Sequence, residues 1–168
     1  MTRADSLSDI SRDYLRATLN YNPSTGIFTW ARSSKSAQEG HPVGTDDGKR
    51  ALRVKLKGKP RFLHRLAFIW MGERLPPLVD HKNGDPSDNR WCNLRAATPS
   101  QNQWNRGIQK NNSSGFKGVS FAREVGKWRA DIYFKNKRKT IGFFRCPTAA
   151  GVAYAKKAQE LHGDFAKF

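Results

Sequence analysis

The chain has 168 residues, enough for one ordinary domain or two small ones and too few for an enzyme with large separate cofactor and substrate halves. Lys and Arg number 31 against 14 Asp and Glu, a net charge of +17 that repels itself unless a polyanion such as nucleic acid neutralises it and releases counterions. No run approaches the roughly 18 apolar residues of a membrane span, no apolar signal core opens the sequence, and Cys92 and Cys146 form no Cys-x-x-Cys pair; membrane spans, thiolate zinc sites and disulfide frameworks are set aside.

An intracellular protein with two buried or half-buried thiols is expected. Leu7, Ile10, Tyr14 and Ala17 have helical spacing, which predicts an amphipathic helix over 7–20 with Ser6 as its cap. Turn chemistry at Asn22-Pro23-Ser24-Thr25-Gly26 precedes a short strand, Ile27–Trp30, and the polar run 32–40 reads as a surface loop. Residues 49–57 alternate, with Ala51, Arg53 and Lys55 on one face and Leu52, Val54 and Leu56 on the other, before a turn at Gly58-Lys59-Pro60. Eight Lys and Arg and no acid fall between Lys49 and Arg65, so this stretch, Arg53 and Lys55 above all, is expected to meet phosphates. Leu63–Met71 is apolar enough for a helix, ended by Gly72 and Pro76-Pro77.

The densest chemistry lies in Val79-Asp80-His81-Lys82-Asn83-Gly84-Asp85, then Asn93-Leu94-Arg95, then Thr98-Pro99-Ser100-Gln101-Asn102. Cutting a phosphodiester needs an activated water, an electrophilic cation on the phosphate, and fixed geometry between them. Asp80 offers a hard oxygen. Its neighbour His81 points to the opposite face of an extended strand, so one can serve a metal while the other addresses water. An imidazole titrates close to cell pH and is suited to take a proton there. The loop 83–89 returns the chain to a second strand, Leu94–Ala97, and Thr98 with Pro99 has the signature of a helix start. A calcium loop is excluded, since the twelfth position from Asp80 is Trp91 where a bidentate Glu is required.

This order of residues, from about His64 to Arg106, resembles the HNH endonuclease family in its phage and intron-associated homing branch. The resemblance implies a ββα-metal module in which His81 is the general base, Asp80 and Asn102 hold one divalent ion, and Asn93 orients His81 or braces the loop. An amide at position 102 makes the site oxygen-rich, favouring Mg²⁺ or Mn²⁺ over Zn²⁺. His64 is read as a structural residue.

After the polar stretch 107–115, three alternating segments, 118–121, 127–134 and 139–144, are separated by Gly126 and the turn Lys135-Asn136-Lys137, and an Ala-rich helix over 148–162 has Thr148 as cap and Gly163 past its end. Trp128, Ala130, Ile132 and Phe134 should meet the helix, while Lys127, Arg129, Asp131 and Tyr133 face outward. Phe116-Lys117-Gly118-Val119, Trp128-Arg129-Ala130-Asp131-Ile132 and Ile141-Gly142-Phe143-Phe144 resemble an APETALA2-type DNA-binding domain. That resemblance implies a three-stranded sheet laid in the major groove, with Lys127 and Arg129 as first contacts and Lys117, Arg123, Lys137 and Lys139 on phosphates.

The whole reads as an α+β protein: a nuclease module over 1–106, a linker over 107–115, and a DNA-binding domain over 116–168. Up to Arg106 there are 18 basic and 10 acidic residues, and beyond it 13 and 4, so both halves carry positive charge. The expected activity is site-specific hydrolysis of double-stranded DNA with one Mg²⁺ or Mn²⁺, no small-molecule cofactor and no membrane, by a monomer or a dimer in the cytoplasm of a bacterial or phage-infected cell. The rival reading is a non-catalytic DNA-binding regulator. RNA is disfavoured, because the sheet offers no pair of exposed aromatics placed to stack bases.

Overall fold

The computed structural model describes residues 7–34, 37–45 and 51–168 and divides the chain into two compact units, 1–98 and 99–168. Ser6, Lys49 and Arg50 lie outside the described residues.

In the first unit, helix α1 (Arg12–Thr18) begins later than the apolar spacing suggests, because the Ser11 hydroxyl accepts the Tyr14 N–H at 3.1 Å and fixes the start there. Leu7 and Ile10 instead close a turn and send both side chains into the core. The β-branched and aromatic residues that follow form a hairpin, β1 (Leu19–Tyr21) against β2 (Phe28–Trp30). Strand β3 (Arg53–Leu56) buries Val54 and Leu56 and leaves Lys55 outside, as alternation requires. Its partner β4 (Lys59–Phe62) includes Pro60, a residue read from sequence as turn; a two-stranded ribbon tolerates the missing N–H.

The basic stretch is not wholly a surface. Arg61 turns inward and is 1% exposed, gripping Asp9 through Nη2 at 2.7 and 2.8 Å, and the Lys57 ammonium donates to the Asp9 carbonyl. Helix α2 (Leu63–Met71) places Leu63, Leu66 and Ala67 on one face, and each of the two buried leucines contributes about 1.5–3 kcal/mol. Gly72 adopts the left-handed φ of 84° that ends it, and Arg12 and Arg16 cap its last carbonyls, at Trp70 and Met71. The unit closes with β5 (Leu78–His81) antiparallel to β6 (Leu94–Ala97), and Leu94 joins the core of Leu15, Leu19, Phe28 and Leu66.

The second unit opens with helix α3 (Pro99–Trp104), which the sequence suggested would belong to the first module. Here the Trp104 ring lies flat on His162, centroids 4.2 Å apart, and its carbonyl accepts from the Lys117 ammonium. Strands β7 (Val119–Ala122), β8 (Lys127–Phe134) and β9 (Lys137–Phe144) form one antiparallel sheet in that order. Helix α4 (Pro147–His162) covers one face, packing Ala150, Tyr154 and Ala158 on Val119, Ala130 and Ile132. It begins one residue before Thr148, and the cap is Cys146, whose sulfur accepts the Ala149 N–H. Cys92 and Cys146 are both exposed, contrary to the expectation of buried thiols. Gly118 (φ 71°) is required where it stands: a Cβ there would sit 2.2 Å from the Tyr154 ring and 2.6 Å from the Asp131 carbonyl oxygen.

The β8–β9 pairing contains a bulge. Ala130 pairs with Gly142, but the next residue, Asp131, pairs with Thr140, leaving Ile141 as the extra residue. Beyond it the parity of β9 is reversed. Arg138 and Thr140 share the outward face with Arg129, Asp131 and Tyr133, whereas Lys137 and Lys139 are in register with Phe134 and Ile132 of the helix-facing set.

Candidate nuclease site and nucleic-acid face

Asp80 and His81 are successive residues of β5 and therefore project to opposite faces of the β5–β6 ribbon. Both are buried. On one face Asp80 is directly opposite Arg95 of β6, whose Nε and Nη2 both reach Asp80 Oδ2 at 2.8 Å. The pair is charge-assisted, and at 12% and 6% exposure it holds both side chains to one geometry.

On the other face, paired with Leu94, His81 packs its ring edge-on against His64 of α2, centroids 5.1 Å apart, and His64 in turn stacks on Phe62 at 5.3 Å. Burial, reinforced by the neighbouring His81 and Arg65, pushes the His64 imidazole down to about pH 3, so it stays neutral beside His81. His81 Nε2 lies 3.2 Å from the side-chain oxygen of Asn89. That residue is 1% exposed, its Nδ2 donates to the Ser87 carbonyl, and its own carbonyl accepts the Tyr21 hydroxyl at 2.7 Å.

The connecting loop is held by short polar side chains. Asn93, just before β6, donates through Nδ2 to the Asp88 carbonyl at 2.8 Å and to Asn83 Oδ1 at 3.0 Å, while its Oδ1 accepts the Asn83 N–H. These side-chain bonds all go to the loop, and the group at His81 Nε2 is Asn89. The Arg90 guanidinium holds Asp88 down to about pH 2, and Ser87 holds Asp85 below its ordinary carboxyl range. Gly84 turns the chain at φ 80°, its N–H donating to the His81 carbonyl. Asn102 is partly exposed on α3, in the second unit.

Sequence reasoning missed Asn89 because one Asn in a loop of turn formers carries no distinguishing signal. It did not single out Arg138, whose outward position depends on the bulge at Ile141; Gly142, a glycine inside a strand pattern, is the local sign of that bulge.

On the uncovered face of the second unit's sheet, Asp131 is buried between basic side chains. Arg129 Nε donates to it at 2.9 Å, Thr140 Oγ1 at 2.8 Å, and Arg138 bonds the same carboxylate. Burial pushes this carboxyl up, but the Arg138 and Thr140 bonds and the two guanidinium charges outweigh it and hold it below its ordinary value. Tyr133 and Phe143 stand exposed on the same face, so the sheet does present two exposed aromatics, contrary to the expectation on which RNA was disfavoured, and Lys127 is exposed at the start of β8. Lys117 is half-buried with its ammonium on the Trp104 carbonyl, and burial lowers it to about pH 8. Arg123, Lys137 and Lys139 are exposed, as are Lys55 and, partly, Arg53, whose guanidinium lies over the Phe62 ring at 5.2 Å.

Residues 61–104 match the family model for HNH endonucleases. Over 90 residues the chain is 34% identical to protein 3.8 of Escherichia phage T7, an alignment covering 54% of this chain and 74% of that protein. Over 132 residues it is 31% identical to an uncharacterized HNH endonuclease of Acanthamoeba polyphaga mimivirus, covering 77% of this chain and 62% of the relative. No solved structure matches. No helix among the described residues is long and apolar enough to cross a membrane. The chain belongs to the family that includes the phage protein 3.8, and over residues 61–104 it carries an HNH endonuclease domain.

Proposed function

We propose that this protein is a site-specific DNA endonuclease in which the HNH domain over residues 61–104 hydrolyses a phosphodiester and the C-terminal three-stranded sheet reads duplex DNA, in the manner of a homing or phage-encoded nicking enzyme. The observation that carries the reading is the β5–β6 ribbon: a buried carboxylate and a buried imidazole on adjacent residues, each held by a separate partner.

HNH nucleases generally use a divalent metal ion. Among the described residues no three His, Cys, Asp or Glu side chains gather into a metal cluster, so the hard donor offered by the ribbon is the Asp80 carboxylate. A single carboxylate fits Mg²⁺ or Mn²⁺, which retain water and take phosphate oxygens as further ligands, and does not fit Zn²⁺, which collects nitrogen and sulfur. Such an ion would supply charge neutralisation at the scissile phosphate. Asp80 would hold it, Arg95 keeps the carboxylate in place, and the family resemblance implies Asn102 as the second donor. His81 takes a proton from the attacking water, and Asn93 keeps the loop closed behind it.

Supercoiled plasmid nicked in the presence of Mg²⁺ tests this. Cleavage is expected to cease in EDTA, and Asp80→Asn and Asn102→Ala are each expected to raise the Mg²⁺ concentration needed for half-maximal rate. A protein that binds the plasmid and leaves it intact under every divalent cation tried would be the non-catalytic regulator.

The uncovered sheet face supports the second half of the reading. Arg129 and Arg138, steadied by Asp131, present donors for bases and phosphates, and exposed Lys127, Arg123, Lys137 and Lys139 add positive charge to this unit; in the first unit, exposed Lys55 and partly exposed Arg53 do the same on β3. In binding titrations against duplex DNA across a range of salt, Arg129→Ala is expected to weaken affinity and to lower the slope of log affinity against log salt by about 0.9, the value for one lost phosphate contact. An unchanged slope would remove Arg129 from the phosphate interface.

A further inference from the structure

The hydrogen bond between Asn89 and His81 has a chemical consequence for the base. An amide oxygen only accepts, and Asn89 is held in that orientation because its Nδ2 donates to the Ser87 carbonyl. The atom facing Asn89 Oδ1, His81 Nε2, must then bear the proton, and the lone pair of the neutral ring lies on Nδ1. We propose that Asn89 is a positioning residue that fixes His81 in the Nε2–H tautomer, so that Nδ1 is the atom that accepts the proton from water. This rests on the nuclease reading above for its role in turnover, but the tautomer itself is a property of the resting protein.

Asn89 is in turn braced from outside the HNH match. The Tyr21 hydroxyl of β1 donates to its carbonyl, the Trp91 N–H donates to the Pro23 carbonyl at 2.9 Å, and Gly26 lies so close that a Cβ there would be 2.4 Å from the Arg90 nitrogen and 2.5 Å from the Asn89 carbonyl carbon. The β1–β2 hairpin thus sets the backbone that aims the amide. Removing the acceptor leaves Nε2–H buried without its partner, a cost that drives the proton toward Nδ1 and blocks the atom that should act as base.

Long-range ¹H–¹⁵N spectra of histidine-labelled protein, recorded at alkaline pH where the ring is neutral, report which nitrogen carries the proton. The wild type is expected to show His81 protonated on Nε2. Asn89→Leu, similar in shape but without the acceptor, is expected to shift His81 to the other tautomer or a mixture and to lose roughly ten- to hundredfold in kcat at unchanged KM, as other losses of a tautomer-fixing partner do. Asn89→Asp, which keeps an acceptor oxygen, is expected to restore both. A merely structural Asn89 would lower the melting temperature while leaving tautomer and kcat per folded molecule alone.

Wild-type His81 protonated on Nδ1, or a folded Asn89→Leu protein turning over at the wild-type rate, would overturn the proposal. Should the Leu variant not fold, the wild-type tautomer and its retention in Asn89→Asp decide the matter. A wild type that shows the expected tautomer and nicks no DNA would sink the nuclease reading and leave the positioning role intact.

Discussion

His81→Ala is expected to reduce DNA cleavage by about 10²- to 10⁴-fold in kcat, the range a positioned general base supplies, while affinity for uncleaved duplex stays at the wild-type level. The affinity should hold because the exposed basic side chains lie elsewhere, on the uncovered sheet face and on β3, whereas His81 is 8% exposed and turned toward His64 and Asn89. The same burial makes the substitution costly to the fold. It removes a ring packed on His64 and leaves the Asn89 side-chain oxygen without the donor at 3.2 Å, a loss of about 1–3 kcal/mol. Cleavage rates must therefore be referred to the folded fraction measured by circular dichroism at the assay temperature. His81→Gln, which keeps bulk and polarity but cannot act as base, should be as inactive and better folded. Wild-type cleavage by either variant would remove His81 as the base.

Much of the site was legible because its parts obey local rules. Apolar character predicted α2 over Leu63–Met71, the turn formers of 83–89 predicted a return strand over Leu94–Ala97, and Thr98-Pro99 marked the start of α3. The adjacency of Asp80 and His81 dictated opposite faces as soon as the segment was read as strand. What was not legible depends on long-range packing. Asn89 acquires its importance from Tyr21, 68 residues away, and Arg61 from Asp9, 52 residues away; neither pairing leaves a mark in its own neighbourhood. The outward face of β9 is illegible for a third reason: one extra residue at Ile141 reverses side-chain parity for all that precedes it in the strand and sets Arg138 and Thr140 opposite Tyr133 and Asp131. Local pattern tells which segments form strands; a bulge and a partner decide which side chains meet the ligand.

The Arg61–Asp9 pair leads to the second large effect, and its asymmetry sets the direction. Arg61 is almost wholly buried while Asp9 is 37% exposed, so water can solvate the aspartate alone but cannot reach the guanidinium. Removing the exposed partner should then be the worse change. Asp9→Ala is expected to cost the first unit about 1.5–3 kcal/mol, because a buried guanidinium loses its short charge-assisted bonds to the carboxylate, although Asp9 itself looks like a surface residue. Arg61→Met retains volume against the core, removes the charge that needs a partner, and leaves a carboxylate in water; it should cost clearly less. The double change Asp9→Ala/Arg61→Met should recover most of the Asp9→Ala loss, since neither half of an ion pair remains to be desolvated. Urea unfolding of the four proteins, followed by tryptophan fluorescence, gives the cycle directly. Equal losses from Asp9→Ala and Arg61→Met would mean that packing, and not the stranded charge, sets the cost. If instead the double variant were as unstable as the two single losses summed, the pair would not be coupled at all. The expected ordering ties the basic hairpin to the fold, with Arg61 stabilising β4 immediately before the segment that carries His64.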